Sequence, residues 1–126
     1  MSNGSVSVEV VGDGITTVAW SEGMNGQAAL EEAHNAAPQL TFALEYFGST
    51  YGYMVVMING TYESFSATEA PFYFWELYVN GQSAQQGIDG TILNDGDIMS
   101  FAFVLYDPDA HAGTLLAVKH EARTRR

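Results

Sequence analysis

The stretch that decides the fold of this chain is Pro71–Gly81, which reads PFYFWELYVNG. It contains four consecutive aromatic residues and a fifth at Tyr78, and it ends on Asn80-Gly81, a strong signal for a two-residue hairpin turn. Apolar side chains occupy both the odd and the even positions, so the pattern does not show which face of the predicted strand would be exposed to solvent. We therefore expect a strand covered on both faces, or a strand with core on one face and a binding wall on the other.

Apolar runs on both sides of this stretch predict further strands. These are Val6–Val10, Ile15–Trp20, Leu40–Phe47, Tyr53–Ile58, Ile98–Tyr106 and an edge strand at Thr114–His120. Gln27–Ala37 has the composition and spacing of a short helix, with Asn25 as its N-cap and Pro38 ending it. The polar segment Glu63–Pro71 is typical of a surface loop.

A hairpin followed by one helix and a series of strands is typical of α+β proteins. We predict a β-grasp-like, mostly antiparallel sheet that curls round the single helix. A small β-barrel with one helix is the alternative. We expect one domain over residues 1–118, followed by a basic, poorly ordered tail over residues 119–126.

The charge distribution narrows the choice of partners. The chain has 4 basic and 15 acidic residues, a net charge of −11, and its basic residues all lie between Lys119 and Arg126. A body without lysine or arginine repels phosphate backbones and anionic lipid surfaces, so we expect neither nucleic acid nor a membrane as partner.

Other features of the sequence exclude whole classes of site. No cysteine is present, which excludes disulfides, thiolate nucleophiles and zinc–thiolate sites. Asp107, Asp109 and His111 alternate in one loop, but hard-cation and zinc sites need more ligands than these, and we predict neither a metal nor a cofactor. The sequence has no long apolar run and no signal-peptide pattern at its start, so we expect a cytoplasmic protein, or an exported one if a leader has been removed.

Tyrosine and tryptophan side chains are concentrated in and before the deciding stretch. They combine apolar area with one polar group, which suits a pocket for a flat, largely apolar ligand. The predicted ligand-binding residues are Tyr46, Tyr51, Tyr53, Tyr73, Trp75 and Tyr78. The alternative is that they are core residues, although a small dry core would not easily satisfy so many phenolic hydroxyls.

Two glutamates, Glu45 and Glu76, interrupt otherwise apolar strands, which is unusual for this residue. Burial beside aromatic rings would disfavour the charged form of either carboxyl group, which suits a general acid or base. If the protein is an enzyme, we predict that Glu76 and Tyr73 are its catalytic residues. The alternative is that each glutamate points to solvent from an open face.

A series of short motifs from Gly52 to Tyr106 resembles one known family. The motifs are Tyr51-Gly52-Tyr53 with Ile58-Asn59-Gly60, Trp75 with Tyr78-Val79-Asn80-Gly81, Gly87-Ile88-Asp89, and Asn94-Asp95-Gly96-Asp97. In order and spacing they are similar to the domain that closes the C-terminal end of transcobalamin and intrinsic factor, and to its bacterial relatives of unassigned function. The resemblance implies a β-grasp-like fold that binds a ligand or partner on its aromatic and loop surface. In the transcobalamin branch the ligand is cobalamin, which a second, helical domain also contacts.

Two functional hypotheses follow. The first is a non-catalytic module that binds a small hydrophobic molecule or a partner in an aromatic-lined concavity. The second is a cofactor-free enzyme of the cyclase or isomerase type, which acts on a hydrophobic biosynthetic intermediate in the same cavity by enforced geometry. A third interpretation is a self-associating domain that pairs through Thr114–Val118, so the oligomeric state stays open and a homo-oligomer is one option.

Overall fold

The structure is a computed structural model that describes residues 4–49, 52–63 and 72–106. The elements in chain order are β1 (Ser5–Val10), β2 (Gly14–Ala19), α1 (Gly26–Ala36), β3 (Phe42–Tyr46), β4 (Tyr53–Ile58), β5 (Thr61–Tyr62), β6 (Tyr73–Val79), β7 (Gln82–Ser83) and β8 (Ile98–Leu105). Within these ranges, no helix has the length and apolar character needed to cross a membrane. The predicted strand at Thr114–His120 and the predicted tail at 119–126 lie outside the described residues.

The described strands form two open sheets. The larger has the order β2-β1-β8-β6-β7, and the smaller has the order β3-β4-β5. In the larger sheet β1 and β8 are parallel and central, while the remaining neighbours are antiparallel. The prediction of an α+β, β-grasp-like and mostly antiparallel fold is confirmed. The barrel alternative is wrong, because the two described sheets do not close on each other.

The helix α1 lies close against the larger sheet because its inner face carries small side chains. Ala29, Leu30 and Ala33 are fully buried. A Cβ atom added to Gly26 would lie only 2.9 Å from the sulfur of Met99, so the helix can approach this closely only with glycine there. Asn25 is the N-cap, as predicted, and its side chain accepts a hydrogen bond of 2.8 Å from the backbone N–H of Ala28.

The sheet residues that face α1 follow the period of two expected of strands. They are Val6, Val8 and Val10 of β1 with Met99 and Phe101 of β8, all buried. In β6, Trp75 belongs to the same core, and Leu77 packs against it. This alternation leaves Phe74, Glu76 and Tyr78 on the opposite face of β6.

The strand β6 is covered on both faces over its central residues. Phe74 is 0%, Trp75 8% and Glu76 8% exposed. The strand pairs with β8 along its whole length, and it is followed by a turn at Asn80 (φ 53°) and Gly81 (φ 83°). Two successive left-handed residues are the signature of a type I′ hairpin turn, which the Asn-Gly sequence predicts.

Candidate functional site

The two sheets approach each other between β4 and β6, and a small cavity lies there, which we name the inter-sheet pocket. Its walls are mainly apolar and include Met54, Val55, Trp75, Leu77, Ile88 and Phe101. Its volume is about 30 Å³, enough for one or two water molecules or for a group the size of a methyl. Only a small apolar group can therefore enter the pocket unless the walls move.

Hydrogen bonds across the gap hold the two sides of the pocket in place. The Glu63 carboxylate accepts a bond of 2.9 Å from the backbone N–H of Trp75. The indole N–H of Trp75 donates to the carbonyl oxygen of Thr61, also at 2.9 Å. Near the start of β4, the backbone N–H of Ile88 donates to the carbonyl oxygen of Tyr53 at 2.8 Å. The smaller sheet is thus tied directly to the edge of β6 and to the segment after β7.

A second, open concavity lies beside the inter-sheet pocket, between the β6–β7 hairpin and residues 90–97. We name it the amide groove, because its lining is rich in carboxamide side chains: Asn80, Gln82, Gln85, Gln86 and Asn94. Its volume is about 490 Å³. Ser83, Ala84 and Gln86 line both the groove and the pocket. The two concavities therefore form one continuous surface with an apolar end and a polar end.

One wall of the amide groove is fixed by Asp97. Its two carboxylate oxygens accept hydrogen bonds from the side-chain amide of Asn80, at 2.8 Å, and from the backbone N–H of Asn94, at 2.7 Å. The side-chain oxygen of Asn80 accepts a further bond, of 2.9 Å, from the backbone N–H of Ile98. Asp97 is 9% exposed, and these hydrogen bonds hold its side chain within the wall.

Within the described residues, the glutamines of the groove, unlike Asn80 and Asp97, are not held by side-chain hydrogen bonds. Gln82, Gln85 and Gln86 are exposed, and their side-chain amides make no hydrogen bond to the rest of the chain as far as the structure describes it. Each amide offers one oxygen acceptor and two N–H donors. These three side chains are therefore free to contact a bound molecule.

A buried carboxylate stands behind the shared wall. Glu76 accepts hydrogen bonds from the hydroxyl of Tyr78, at 2.8 Å, and from the hydroxyl of Ser83, at 2.7 Å. Desolvation of Tyr78, together with its hydrogen bond to Glu76 and the negative charge there, raises the pKa of Tyr78 to about 12. Tyr78 consequently stays a neutral donor at ordinary pH, and Ser83 connects this cluster to the groove.

Four of the predicted aromatic residues lie in two separate groups. The rings of Tyr46 and Tyr53 are 5.1 Å apart, and both side chains are exposed. Tyr73 stacks on Phe103 at 5.6 Å, and Phe103 contacts Trp75 at 5.0 Å. Of these residues, Trp75 is the one that lines the inter-sheet pocket.

The remaining predicted residues are placed as follows. Tyr78 lies with Glu76 on the face of β6 opposite Trp75, and Glu76 also contributes to the pocket wall. Glu45 is partly buried in β3. Tyr51 lies outside the described residues. The alternative that Glu76 points to solvent is wrong, because the residue is buried and hydrogen-bonded.

Sequence reasoning missed the glutamines of the amide groove. Three of the five glutamines in the chain lie within residues 82–86, directly after the Asn-Gly turn. This local concentration is the signal that could have indicated a polar surface. Its position beside a cavity depends on how residues 84–97 pack, which no local pattern reveals.

The fold and the site define a β-grasp-like α+β domain with a concave surface at its β6–β7 hairpin. More particularly, the chain belongs to the family described as a domain of unknown function (DUF4430), whose model matches residues 27–104. No curated protein sequence matches the chain.

One solved structure, that of haptocorrin, confirms the fold resemblance. Haptocorrin in complex with Cbi has a TM-score of 0.69 and 21% sequence identity to this chain, and the match covers 84% of this chain and 26% of haptocorrin. The chain thus spans about a quarter of the length of haptocorrin. A “putative metal binding protein” from Ruminococcus gnavus ATCC 29149 has a TM-score of 0.49 and 14% identity, with 82% of this chain and 96% of that one covered. Among the residues that the structure describes here, no cluster of three or more histidine, aspartate or glutamate side chains could hold a metal ion.

Proposed function

We propose that this chain is a small-molecule binding module whose ligand lies across the amide groove and inserts a small apolar group into the inter-sheet pocket. The observation that carries the proposal is the wall formed by Ser83, Ala84 and Gln86, which both concavities share. One molecule can therefore contact the apolar wall and the free amides at the same time. A volume of about 490 Å³ in the groove is within the usual range of ligand sites, roughly 300–1,000 Å³.

The likeness to haptocorrin supports the same proposal by analogy of fold. Haptocorrin holds Cbi, and its matching part covers most of this chain. Corrinoids are therefore the first ligands to test. Because the chain matches only 26% of haptocorrin, a broader panel of small, largely apolar molecules belongs in the same experiment.

Among the predicted aromatic residues, we propose Trp75 as the one that touches the ligand, since it forms part of the pocket wall. The enzymatic alternative stays a prediction. Glu76 would have to act while its carboxylate accepts two hydroxyl hydrogen bonds, and Tyr73, which is 39% exposed, stacks on Phe103 outside the pocket.

The proposal is tested by thermal shift and calorimetry with Cbi, cobalamins and a panel of hydrophobic metabolites. Ala84→Leu places a larger side chain where the groove and the pocket meet, and we expect it to weaken binding at least about tenfold. Ala19→Leu makes the same change at an exposed position of β2 and should leave the affinity unchanged. Binding that survives Ala84→Leu without loss would show that the ligand site lies elsewhere.

A further inference from the structure

We infer that the amide groove selects uncharged ligands that carry hydroxyl or carboxamide groups, and that it rejects carboxylates and phosphates. This inference rests on the proposed function of the same site, and it specifies the class of ligand. It follows from the charge around the groove, from the state of the two carboxylates beside it and from its free amides.

The charge around the groove disfavours anions. No lysine or arginine occurs before Lys119, and no histidine lines the groove, so no described residue of the groove could form an ion pair with a bound carboxylate or phosphate. Asp95 and Asp97 lie in the segment that forms one wall of the groove, and Glu76 lies behind Ser83. These charges act over about the Debye length, roughly 8–10 Å at physiological salt. As far as the described residues go, an anion in the groove would therefore be repelled and would meet no lysine or arginine.

The two buried carboxylates, those of Asp97 and Glu76, are poorly placed to hold a cation. Both oxygens of Asp97 accept hydrogen bonds from its own wall, and both oxygens of Glu76 accept hydrogen bonds from Tyr78 and Ser83. Glu76 is 8% and Asp97 9% exposed, so a bound ammonium or guanidinium group could reach little of either carboxylate. The polar groups that the groove exposes to a ligand are therefore mainly neutral amides, while Asp97 is buried in its wall and Glu76 lies behind it.

The exposed amides match ligand groups that both donate and accept hydrogen bonds. Gln82, Gln85 and Gln86 each present one acceptor and two donors within five residues of chain. Hydroxyl and carboxamide groups offer both a donor and an acceptor, whereas an ionised carboxylate or phosphate can only accept hydrogen bonds. Hydrogen bonds between neutral groups are individually modest, so the closeness of three such amides is what favours this ligand class.

The experiment uses ¹⁵N-labelled protein and follows the side-chain NH₂ signals of the three glutamines by NMR. The probes are matched pairs: nicotinamide with nicotinate, and glucose with glucuronate, at low ionic strength. We expect the neutral member of each pair to shift the glutamine signals and to bind at least about tenfold more tightly than its anionic partner.

A variant that introduces a positive charge sharpens the test. Gln86→Lys places a cation in the groove and should improve the binding of nicotinate and glucuronate by about tenfold or more. Gln39→Lys adds the same charge at another exposed glutamine, outside the groove, and should not improve it. Equal or tighter binding of the anionic probes by the parent protein would overturn the inference, and so would the absence of any glutamine shift with the neutral probes.

The failure of this inference can be told apart from the failure of the proposed function. An anionic ligand that binds the parent protein and is lost in Ala84→Leu would overturn the selectivity but leave the site in place. A ligand that is unaffected by Ala84→Leu would overturn the site itself.

Discussion

The Glu63 carboxylate accepts a hydrogen bond of 2.9 Å from the backbone N–H of Trp75, and this contact joins the end of β5 to the edge of β6. The strand β7 pairs only with Tyr78 and Val79, so at Trp75 a side chain takes the place of a neighbouring strand. Glu63 is 8% exposed. A buried carboxylate therefore completes the sheet edge next to the inter-sheet pocket.

Replacement of Glu63 should destabilise the protein. We expect Glu63→Ala to lower the free energy of unfolding by about 2 kcal/mol, because the buried N–H of Trp75 loses its acceptor. Glu63→Gln keeps an oxygen acceptor and should cost about half as much. Urea unfolding followed by tryptophan fluorescence measures both, with Glu22→Ala in an exposed loop as the control. The interpretation is wrong if Glu63→Ala is no less stable than this control.

The titration of Tyr78 provides a test of the cluster around Glu76. The pKa of Tyr78 is raised from its ordinary value of 10.0 to about 12. Because the raised pKa belongs to the folded state, the contribution of neutral Tyr78 to stability is complete below pH 10 and is lost as the pH rises through about 12. One of the seven tyrosines should therefore ionise late when absorbance near 295 nm is followed.

Two phenylalanine variants assign this late phase. Tyr78→Phe should remove it and should reduce the loss of stability between pH 10 and about 12. Tyr62→Phe changes a side chain that is 64% exposed and should leave the late phase intact. A late phase that persists in Tyr78→Phe would assign the raised pKa to another tyrosine.

Local signals explain what the sequence could predict of the fold. Val6, Val8 and Val10 alternate with polar residues because they face α1 from one side of β1. The Asn80-Gly81 turn and the Asn25 cap depend on the conformational and hydrogen-bonding preferences of one or two residues, and these residues can be read directly from the sequence. These features were predicted because their physical causes act over a few neighbouring positions.

Non-local contacts explain what the sequence could not predict. Glu63 was expected to begin a surface loop, yet it is buried because its partner, Trp75, lies twelve residues further on. The polarity of a residue does not show whether a backbone donor will come close to it. The amide groove was missed for a related reason, since Gln82 and Gln86 become part of one concavity only when the chain after β7 folds back.

Alanine substitutions at Gly52 and Gly48 distinguish two contributions to stability: the cost of a positive φ angle and the steric cost of an added Cβ atom. Both have positive φ angles, 69° and 97°, but a Cβ atom would meet the Asp89 carboxylate at Gly52 and nothing within 4 Å at Gly48. We expect Gly48→Ala to cost about 1 kcal/mol from the backbone alone.

Gly52→Ala should cost more than Gly48→Ala by at least about 2 kcal/mol, since the Asp89 carboxylate would have to move and its bond to the backbone N–H of Tyr53 would be lost. Thermal and urea unfolding measure the difference. The same substitution should also weaken ligand binding, because Tyr53 forms one of the bridges beside the inter-sheet pocket. Equal costs for the two substitutions would show that Asp89 does not restrict the chain at Gly52.

Asn80 combines a left-handed backbone with two side-chain hydrogen bonds, and two substitutions separate these contributions. Its φ angle is 53°, and its side chain bonds Asp97 and the backbone N–H of Ile98 at 2.8 and 2.9 Å. Asn80→Gly keeps the backbone favourable and removes both bonds, so we expect a loss of about 2 kcal/mol in the free energy of unfolding. Asn80→Ala adds the cost of a left-handed alanine and should lose about 1 kcal/mol more.

The comparison of Asn80 with Asn59 shows whether the groove wall depends on these bonds. Asn59 also has a left-handed backbone, with φ 51°, and its side chain makes two exposed hydrogen bonds, to Asp13 and to the backbone of Thr41. Asn59→Gly should therefore cost less than Asn80→Gly, because both bonds of Asn59 are exposed and their partners regain water, whereas the bond from Asn80 to Asp97 is partly buried. Only Asn80→Gly should also shift the NMR signals of Gln82 and Gln86, since Asp97 then loses one of the donors that fix the wall. Equal costs at the two turns, with unchanged glutamine signals, would mean that the wall is held by the backbone alone.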